Sequence, residues 1–229
     1  MNGDPVQPDG EGSSRPITAE YLAHHPRAFD VRLRDGRRVR IRPLVPEDRA
    51  EIARALDRMS SQSLYFRFHR VVERLSDAEL RYLADVDQER HVAWGAIALD
   101  EPGRPGIGVA RFVREPDDPS RAQVAIGIID DYHHAGLGRV LLQTLLVTAA
   151  QAGVQTLVAE VLPANIAALR LFRSVGAELT PECADACRLE IPVRSERRAY
   201  RSSRPIYLSR IRADLESPGH AGIGEERPT

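Results

Sequence analysis

The sequence contains no lysine: all 32 of its strongly basic side chains are arginines, and they face 33 acidic side chains. The resulting net charge of −1 argues against a general nucleic-acid binder, because neutralising phosphates needs a clear basic excess. An acyl donor bound to this protein could not acetylate the protein's own lysine side chains, since there are none.

Long apolar runs and cysteines are also scarce. No stretch of about 18 apolar residues occurs, and the N-terminus lacks a basic-then-apolar signal pattern, so we expect a cytoplasmic protein without membrane spans. The two cysteines, Cys183 and Cys187, are interpreted as ordinary thiols. Disulfides are rare in that compartment, and a zinc site would need four ligands.

The length of 229 residues fits one domain with tails. Residues 1–29 are expected to form a mostly disordered tail, because residues 1 to about 16 are rich in Gly, Pro, Asp and Ser with little to bury. The domain is expected over residues 30–195. Residues 196–229 are interpreted as a tail that is first basic and then disordered. The sequence gives no indication of the oligomeric state.

Apolar residues alternate with arginines on both sides of Asp35-Gly36, which predicts a β-hairpin because Asp-Gly supplies the positive φ angles of a tight turn. The six arginines from Arg32 to Arg42 are then expected on the solvated faces of an edge ribbon, with an acidic-partner site as the alternative.

The rest of the domain predicts a mixed α/β fold with antiparallel and parallel parts. Three short helices are expected between residues 46 and 84, the last one opened by the capping box Ser76–Glu79. Further elements are expected in the order strand, strand, strand, helix, strand, helix, strand, strand, over 91–99, 106–113, 123–129, 140–152, 156–162, 164–175, 177–180 and 188–193.

A glycine-rich loop, His133-His134-Ala135-Gly136-Leu137-Gly138, connects the third of these strands to a helix. Free backbone N–H groups and the helix dipole make such a loop a site for phosphate. A Walker loop would need a lysine, and a dinucleotide fingerprint would need a third glycine where Leu141 stands. The pyrophosphate of another ligand fits better.

This loop resembles the Gln/Arg-x-x-Gly-x-Gly/Ala signature of the GNAT N-acetyltransferases, with both glycines in place and His133 at the departing first position. The resemblance continues in Asn165 at the start of the next helix and Gly176 at its end. The segments 31–43, 47–48 and 63–68 resemble the acetyltransferase domain of bacterial protein lysine acetyltransferases.

The resemblance implies the GNAT fold, acetyl-CoA as cosubstrate and an amine acceptor, with a protein lysine as one candidate. It implies that the strand 123–129 splays from the next strand and that its backbone at Ile126 and Ile128 binds pantetheine. The pyrophosphate would be held by backbone N–H groups from His133 to Arg139. Asn165 is carried over as a further coenzyme contact.

Two positions that handle protons in the family differ here. Gln123 stands where the related enzymes have a basic Glu, and Phe172 stands where a Tyr is often the general acid. An amide has no useful basicity and a phenyl ring has no proton to give. Glu160, on the next strand, is the best substitute base, with an ion pair to a nearby Arg as the alternative. Three further residues could line the acceptor pocket or have structural roles: Asp85, Asp87 and His91.

Three functions remain open. The first is an active N-acetyltransferase, and the second is an acyl-CoA-binding regulatory module that has lost catalysis. The third is a basic interaction surface built from the arginines between residues 188 and 212. A metal site is not expected, because the adjacent His133 and His134 do not have a ligand spacing.

The charge of His133 gives a test of its role in the loop. If its side chain donates to phosphate in place of the family's Gln or Arg, the charged form binds the coenzyme better. We therefore expect the Kd for acetyl-CoA to be higher at pH 8 than at pH 6, measured by calorimetry. An equal Kd at both pH values would contradict this role.

Overall fold

A computed structural model describes residues 28–180 and 185–193. These residues form a sheet of eight strands: β1 (Phe29–Arg32), β2 (Arg38–Pro43), β3 (His91–Ala98), β4 (Gly106–Arg114), β5 (Arg121–Ile128), β6 (Thr156–Val161), β7 (Glu178–Leu179) and β8 (Cys187–Pro192). Five α-helices accompany it: α1 (Arg49–Asp57), α2 (Ser61–Phe68), α3 (Asp77–Ala84), α4 (Leu137–Gln151) and α5 (Ile166–Arg173).

The strand order is β1-β2-β3-β4-β5-β6-β8-β7. All neighbours pair antiparallel except β5 and β6, which are parallel. This single parallel pair follows from the long connection through α4, since parallel strands need a crossover of a dozen or more residues. The predicted mixed α/β architecture is confirmed.

Helices cover both faces of the sheet. On one face, which we call the α4 face, leucines of α4 and Phe172 of α5 pack with Trp94 and Phe112 in the main core. On the other, which we call the α1–α3 face, Ile52 of α1 and Leu83 of α3 pack with Ala93 in a second cluster. Side chains of β5 that point to one face therefore lie on the side of α4, and those that point to the other face lie on the side of α1–α3.

The element boundaries agree with the sequence patterns except at a few ends. Helix α4 begins at Leu137 rather than at residue 140, because Gly136 is its N-cap with φ of 94° and leads the glycine loop directly into the helix. Phe29 belongs to β1 and not to a tail: its ring lies 6.3 Å from that of Trp94. The other residues expected to form tails fall almost entirely outside the described ranges.

The arginine-rich hairpin forms as expected, with Val31 opposite Val39, but its surroundings differ from the prediction. Strand β2 also pairs with β3, so of the two hairpin strands only β1 lies at an edge of the sheet. Arg42 is 4% exposed and forms two hydrogen bonds to the carboxylate of Asp48, at 2.7 and 2.5 Å. The expectation that all six arginines are solvated is wrong for Arg42, because the turn before α1 covers the end of β2.

The interpretation of the cysteines as ordinary thiols is wrong for Cys187, which is disulfide-bonded at the start of β8. The expectation rested on the cellular compartment, which the sequence indicates only indirectly. Cys183 lies outside the described residues. Within the described ranges, none of the helices combines the length and the apolar character needed to cross a membrane.

The buried pair of Arg42 and Asp48 gives a test of the fold. Replacing Asp48 by Asn removes the carboxylate that forms two hydrogen bonds to this buried guanidinium, so we expect the free energy of unfolding to fall by about 3–5 kcal/mol. The matched control is Asp30→Asn, which breaks the exposed pair with Arg40 and is expected to cost far less. Urea denaturation of both variants measures this, and equal losses would contradict the assignment.

Candidate coenzyme and acceptor site

The sheet opens between β5 and β6. The two strands pair over only three residues each, from Arg121 opposite Thr156 to Gln123 opposite Val158. Beyond this point β5 stays paired with β4 as far as Ile128, and β6 stays paired with β8 as far as Val161. A wedge-shaped cleft therefore separates β5 from β6. Ile126 and Ile128 lie on the open stretch of β5, beyond the residues that pair with β6.

The glycine loop lies at the wide end of this cleft, between β5 and α4. Among the described residues, the backbone N–H groups from His134 to Gly138 donate to no other group. The two flanking groups are already used, since the N–H of His133 donates to Asp130 O (3.0 Å) and that of Arg139 to Gly136 O (3.2 Å). Of the backbone N–H groups from His133 to Arg139 that were expected to bind the pyrophosphate, five consecutive ones thus have no other acceptor among the described residues.

These five donors fit a diphosphate. They include the first N–H groups of the 15-residue helix α4, where the helix dipole favours negative charge. The loop turns through positive φ angles at His134 (60°) and Gly136 (94°).

The two glycines of the loop are needed for different reasons. Gly136 is needed for its φ angle, which L side chains rarely adopt. Gly138 leaves space for its neighbours, because a Cβ there would lie 3.2 Å from Leu171 Cδ2 and 3.3 Å from Ile128 Cδ1. A side chain at this position would require those neighbours to shift by a few tenths of an ångström.

The loop is fixed from one side by Asp130, which follows β5. Its carboxylate accepts hydrogen bonds from the Ser60 N–H (2.8 Å), the Ser60 hydroxyl (2.7 Å) and the Ser63 hydroxyl (2.9 Å). These donors hold the pKa of Asp130 below its ordinary value although burial opposes the shift. The carboxylate therefore joins the start of α2 to the coenzyme loop.

Tyr132 fixes the loop from within. Its ring is buried beneath the guanidinium of Arg37, 3.7 Å from the ring centroid, and its hydroxyl donates to Glu101 at 2.7 Å. Burial and the Glu101 carboxylate raise the pKa of Tyr132 to about 12. The hairpin completes the support, since the Arg34 N–H donates to Ala135 O (3.1 Å).

The two histidines of the loop do not act together. Their ring centroids are 6.3 Å apart with the planes at 83°. The Nε2 of His133 donates to the carbonyl of Ile128 at 3.0 Å, so this nitrogen must leave that carbonyl before it can reach a phosphate. Within the described residues, no group of three acidic, His or Cys side chains could hold a metal ion.

Asn165 is the N-cap of α5, and its Oδ1 accepts from the Ala168 N–H at 3.0 Å. Its amide NH₂ makes no hydrogen bond to the described residues and can donate to a ligand. Phe172, at the position of the family's Tyr, is buried in the main core and packs there.

Gln123 and Glu160 lie on the same face of the sheet. Gln123 is the last residue of β5 that pairs with β6, and Glu160 lies two residues beyond its partner Val158, so strand alternation places both side chains on the α1–α3 face. Glu160 is exposed and makes no hydrogen bond or ion pair within the described residues. Arg188, opposite Glu160 in register, instead approaches Glu115 at 3.9 Å. The ion-pair alternative for Glu160 is not formed.

The structure adds two residues that the sequence patterns did not single out. Arg111 is only 5% exposed, on the α1–α3 face of β4, with Nη1 3.0 Å from His91 Nε2. Arg67, on α2, packs against β5: its Cδ lies 3.6 Å from where a Cβ of Gly127 would stand. The sequence offered one signal for Arg111, because it is the single Arg in the otherwise apolar segment predicted as a strand over 106–113.

Burial shifts the charges of this cluster. It lowers the pKa of Arg111 to about 9, with repulsion from Arg67 adding to the effect. It also lowers the pKa of His91 to about 4, helped by the charge of Arg111. His91 is therefore neutral and accepts a hydrogen bond from Arg111.

Asp87 has a structural role at the turn before His91. Its carboxylate accepts the backbone N–H groups of Glu89, Arg90 and His91 at 2.8–2.9 Å, which forms the turn into β3. Asp85 is the C-cap residue of α3, and its backbone N–H donates to Arg81 O. Of the three residues for which a pocket role and a structural role were both open, only His91 joins the arginine cluster.

Comparison with known proteins identifies the family. Residues 38–178 match the model of the acetyltransferase (GNAT) domain. Acetyltransferase Pat of Mycolicibacterium smegmatis is 34% identical over 161 residues, which are 70% of this chain and 47% of that protein. The chain belongs to the GNAT acetyltransferase family, and the resemblance drawn from the loop is confirmed.

Two solved structures have a similar fold. The GNAT domain of S. lividans PAT has a TM-score of 0.67 and 26% identity, covering 72% of this chain and 97% of that domain. A cAMP-binding acyltransferase from Mycobacterium smegmatis has a TM-score of 0.56 and 29% identity, covering 82% of this chain and 53% of the other. This chain thus spans about half the length of acetyltransferase Pat and of that acyltransferase.

The conformation of Gly136 supplies a test of the loop. Gly136→Ala forces an L side chain to φ near 94° and should cost about 1 kcal/mol of stability, besides displacing the free N–H groups. Gly153→Ala is the matched control, because Gly153 has φ of 76° beyond the other end of α4. We expect similar losses of stability but at least a tenfold rise in the Kd for acetyl-CoA only for Gly136→Ala. An equal Kd in both variants would contradict the assignment.

Proposed function

We propose that this chain is an acetyl-CoA-dependent N-acetyltransferase that acetylates a primary amine, with a protein lysine as the candidate acceptor. The observation that carries the proposal is the cleft between β5 and β6 with five consecutive free N–H groups at its wide end. The open edge of β5 suits an extended, amide-containing arm, and the loop suits its diphosphate.

Two likenesses support the proposal at different levels. The identity with acetyltransferase Pat supports transfer of an acetyl group. The resemblance of the segments 31–43 and 63–68 to protein lysine acetyltransferases supports a protein acceptor.

The reaction needs little covalent chemistry from the protein. The neutral amine nitrogen attacks the thioester carbon, a C–N bond forms, the C–S bond breaks and the thiolate leaves. In this proposal the protein contributes mainly by positioning: the cleft holds the thioester next to the side chains of the α1–α3 face. The ammonium group must lose one proton before the attack. The nitrogen must lose a second proton as the amide forms, and the thiolate must gain one.

Glu160 is our candidate for the base that takes the ammonium proton. It is an exposed carboxylate without a partner among the described residues, and it lies on β6 just beyond the point where the strands separate. Gln123 lies at that point but cannot accept a proton, so we assign it a hydrogen-bonding role near the reacting carbonyl. Phe172 cannot protonate the thiolate, which leaves that step to solvent.

A regulatory acyl-CoA-binding module is the second candidate. It is favoured by the amide at Gln123 and the buried phenyl ring at Phe172, which remove both familiar proton-handling groups while the diphosphate loop stays intact. The two candidates share the binding site and differ only in turnover.

Substitution of Glu160 tests the enzymatic proposal. We expect Glu160→Gln to lower kcat/KM for amine acetylation by at least about 100-fold, which is a typical contribution of a general base, with the Kd for acetyl-CoA unchanged. Glu178→Gln is the matched control, because Glu178 is an exposed carboxylate on β7. Thiol release from acetyl-CoA measures turnover.

Two outcomes would contradict different parts of the proposal. Full activity of Glu160→Gln would remove Glu160 as the base and leave the enzymatic activity standing. Tight binding of acetyl-CoA without turnover on any acceptor, with activity appearing in Gln123→Glu, would establish the regulatory module instead. Protein acceptors can be assayed cleanly, because every acetyl-lysine detected must belong to the acceptor.

A further inference from the structure

The cluster of Arg67 and Arg111 on the α1–α3 face takes no part in the mechanism above. Arg111 lies opposite Ala93 of β3 and Ala125 of β5 in register, so its side chain is on the same face as Gln123. Arg67 reaches this face from α2 and packs on Gly127, which belongs to the stretch of β5 beyond its pairing with β6. The two guanidinium groups therefore lie beside the cleft.

Among the described residues, neither guanidinium group has a counter-charge. Arg67 and Arg111 form no ion pair there, and the hydrogen-bond partner of Arg111 is the neutral ring of His91. Arg67 makes no hydrogen bond within the same part of the chain; burial lowers the pKa of its guanidinium group, while the residue as a whole is partly exposed. Its one ring contact is with Phe68, at 5.0 Å.

Arg42 has the carboxylate partner that Arg67 and Arg111 lack among the described residues. Arg42 is as deeply buried as Arg111, and Asp48 binds it through two hydrogen bonds. Burying a guanidinium group is unfavourable unless an anion accompanies it, and two neighbouring guanidinium groups also repel each other. This repulsion contributes to the low pKa of Arg111. A structural role alone does not explain two such groups beside a substrate cleft.

We propose that Arg67 and Arg111 bind a carboxylate of the substrate, carried either by the acyl group of the coenzyme thioester or by the amine acceptor. Guanidinium groups present paired N–H donors that match a carboxylate. The proposal rests on the proposed function only in taking the cleft between β5 and β6 as the place where acyl group and acceptor meet. It extends the acyl donors beyond acetyl-CoA to acyl groups with a carboxylate, or, if the carboxylate comes from the acceptor, it favours amines with a carboxylate nearby, such as a lysine beside an acidic residue.

The first arm of the test concerns the acyl group. Succinyl-CoA and butyryl-CoA have four-carbon acyl groups that differ by a terminal carboxylate in place of a methyl group. Calorimetry measures both Kd values for the unmodified protein, for Arg67→Gln and for Arg111→Gln. We expect at least tenfold tighter binding of succinyl-CoA to the unmodified protein and a ratio near one in both variants, if the carboxylate comes from the acyl group.

The second arm concerns the acceptor. Glycine and glycinamide are titrated into protein saturated with CoA, and we expect glycine to bind at least tenfold more tightly if the carboxylate comes from the acceptor. Arg67→Gln should again abolish the difference. The matched control is Arg49→Gln, because Arg49 is exposed on α1 and makes no contact with the cluster.

A preference for the carboxylate in either arm, lost in Arg67→Gln and kept in Arg49→Gln, supports the proposal and identifies the source. No preference in either arm overturns it. If Arg111→Gln does not fold, the comparison of Arg67→Gln with the unmodified protein still decides the result. Both arms measure binding, so a protein that shows these preferences but no turnover would overturn the proposed enzyme and leave the carboxylate site standing.

Discussion

The site depends on the separation of β5 from β6 after three paired residues. Each strand keeps its other neighbour, so the sheet stays continuous while one backbone edge of β5 becomes free. Free backbone groups next to a core are costly unless water or a ligand satisfies them. The cleft therefore favours an occupant that can pair with a strand, and the loop at its wide end adds donors for a diphosphate.

Rigid support surrounds this opening. Asp130 binds the start of α2, and Tyr132 packs beneath Arg37 and donates to Glu101. Gly138 allows α4 and α5 to approach the end of β5. The loop that holds the coenzyme is thus fixed by contacts with three separate parts of the chain, and its donors are preorganised for an anion before the ligand arrives.

Much of the fold could be predicted from the sequence, because it depends on local residue patterns. The Asp35-Gly36 turn, the capping box at Ser76 and the glycine loop each depend on neighbouring residues, and each forms as expected. The burial of Arg42 could not be predicted, since its partner Asp48 belongs to a turn whose packing depends on the whole sheet. Arg67 and Arg111 were missed for the same reason: their proximity comes from α2 packing against β5, and no spacing in the sequence records it.

Amide hydrogen exchange with and without acetyl-CoA measures most directly whether this cleft holds the coenzyme. We expect the coenzyme to slow exchange at the loop donors from His134 to Gly138 and along the open stretch of β5 at Ile126 and Ile128. The same measurement should show little change at the exposed edge β1 or at the C-terminal end of α4. Protection that leaves the loop and the open edge of β5 unchanged would contradict the assignment of the cleft as the coenzyme site.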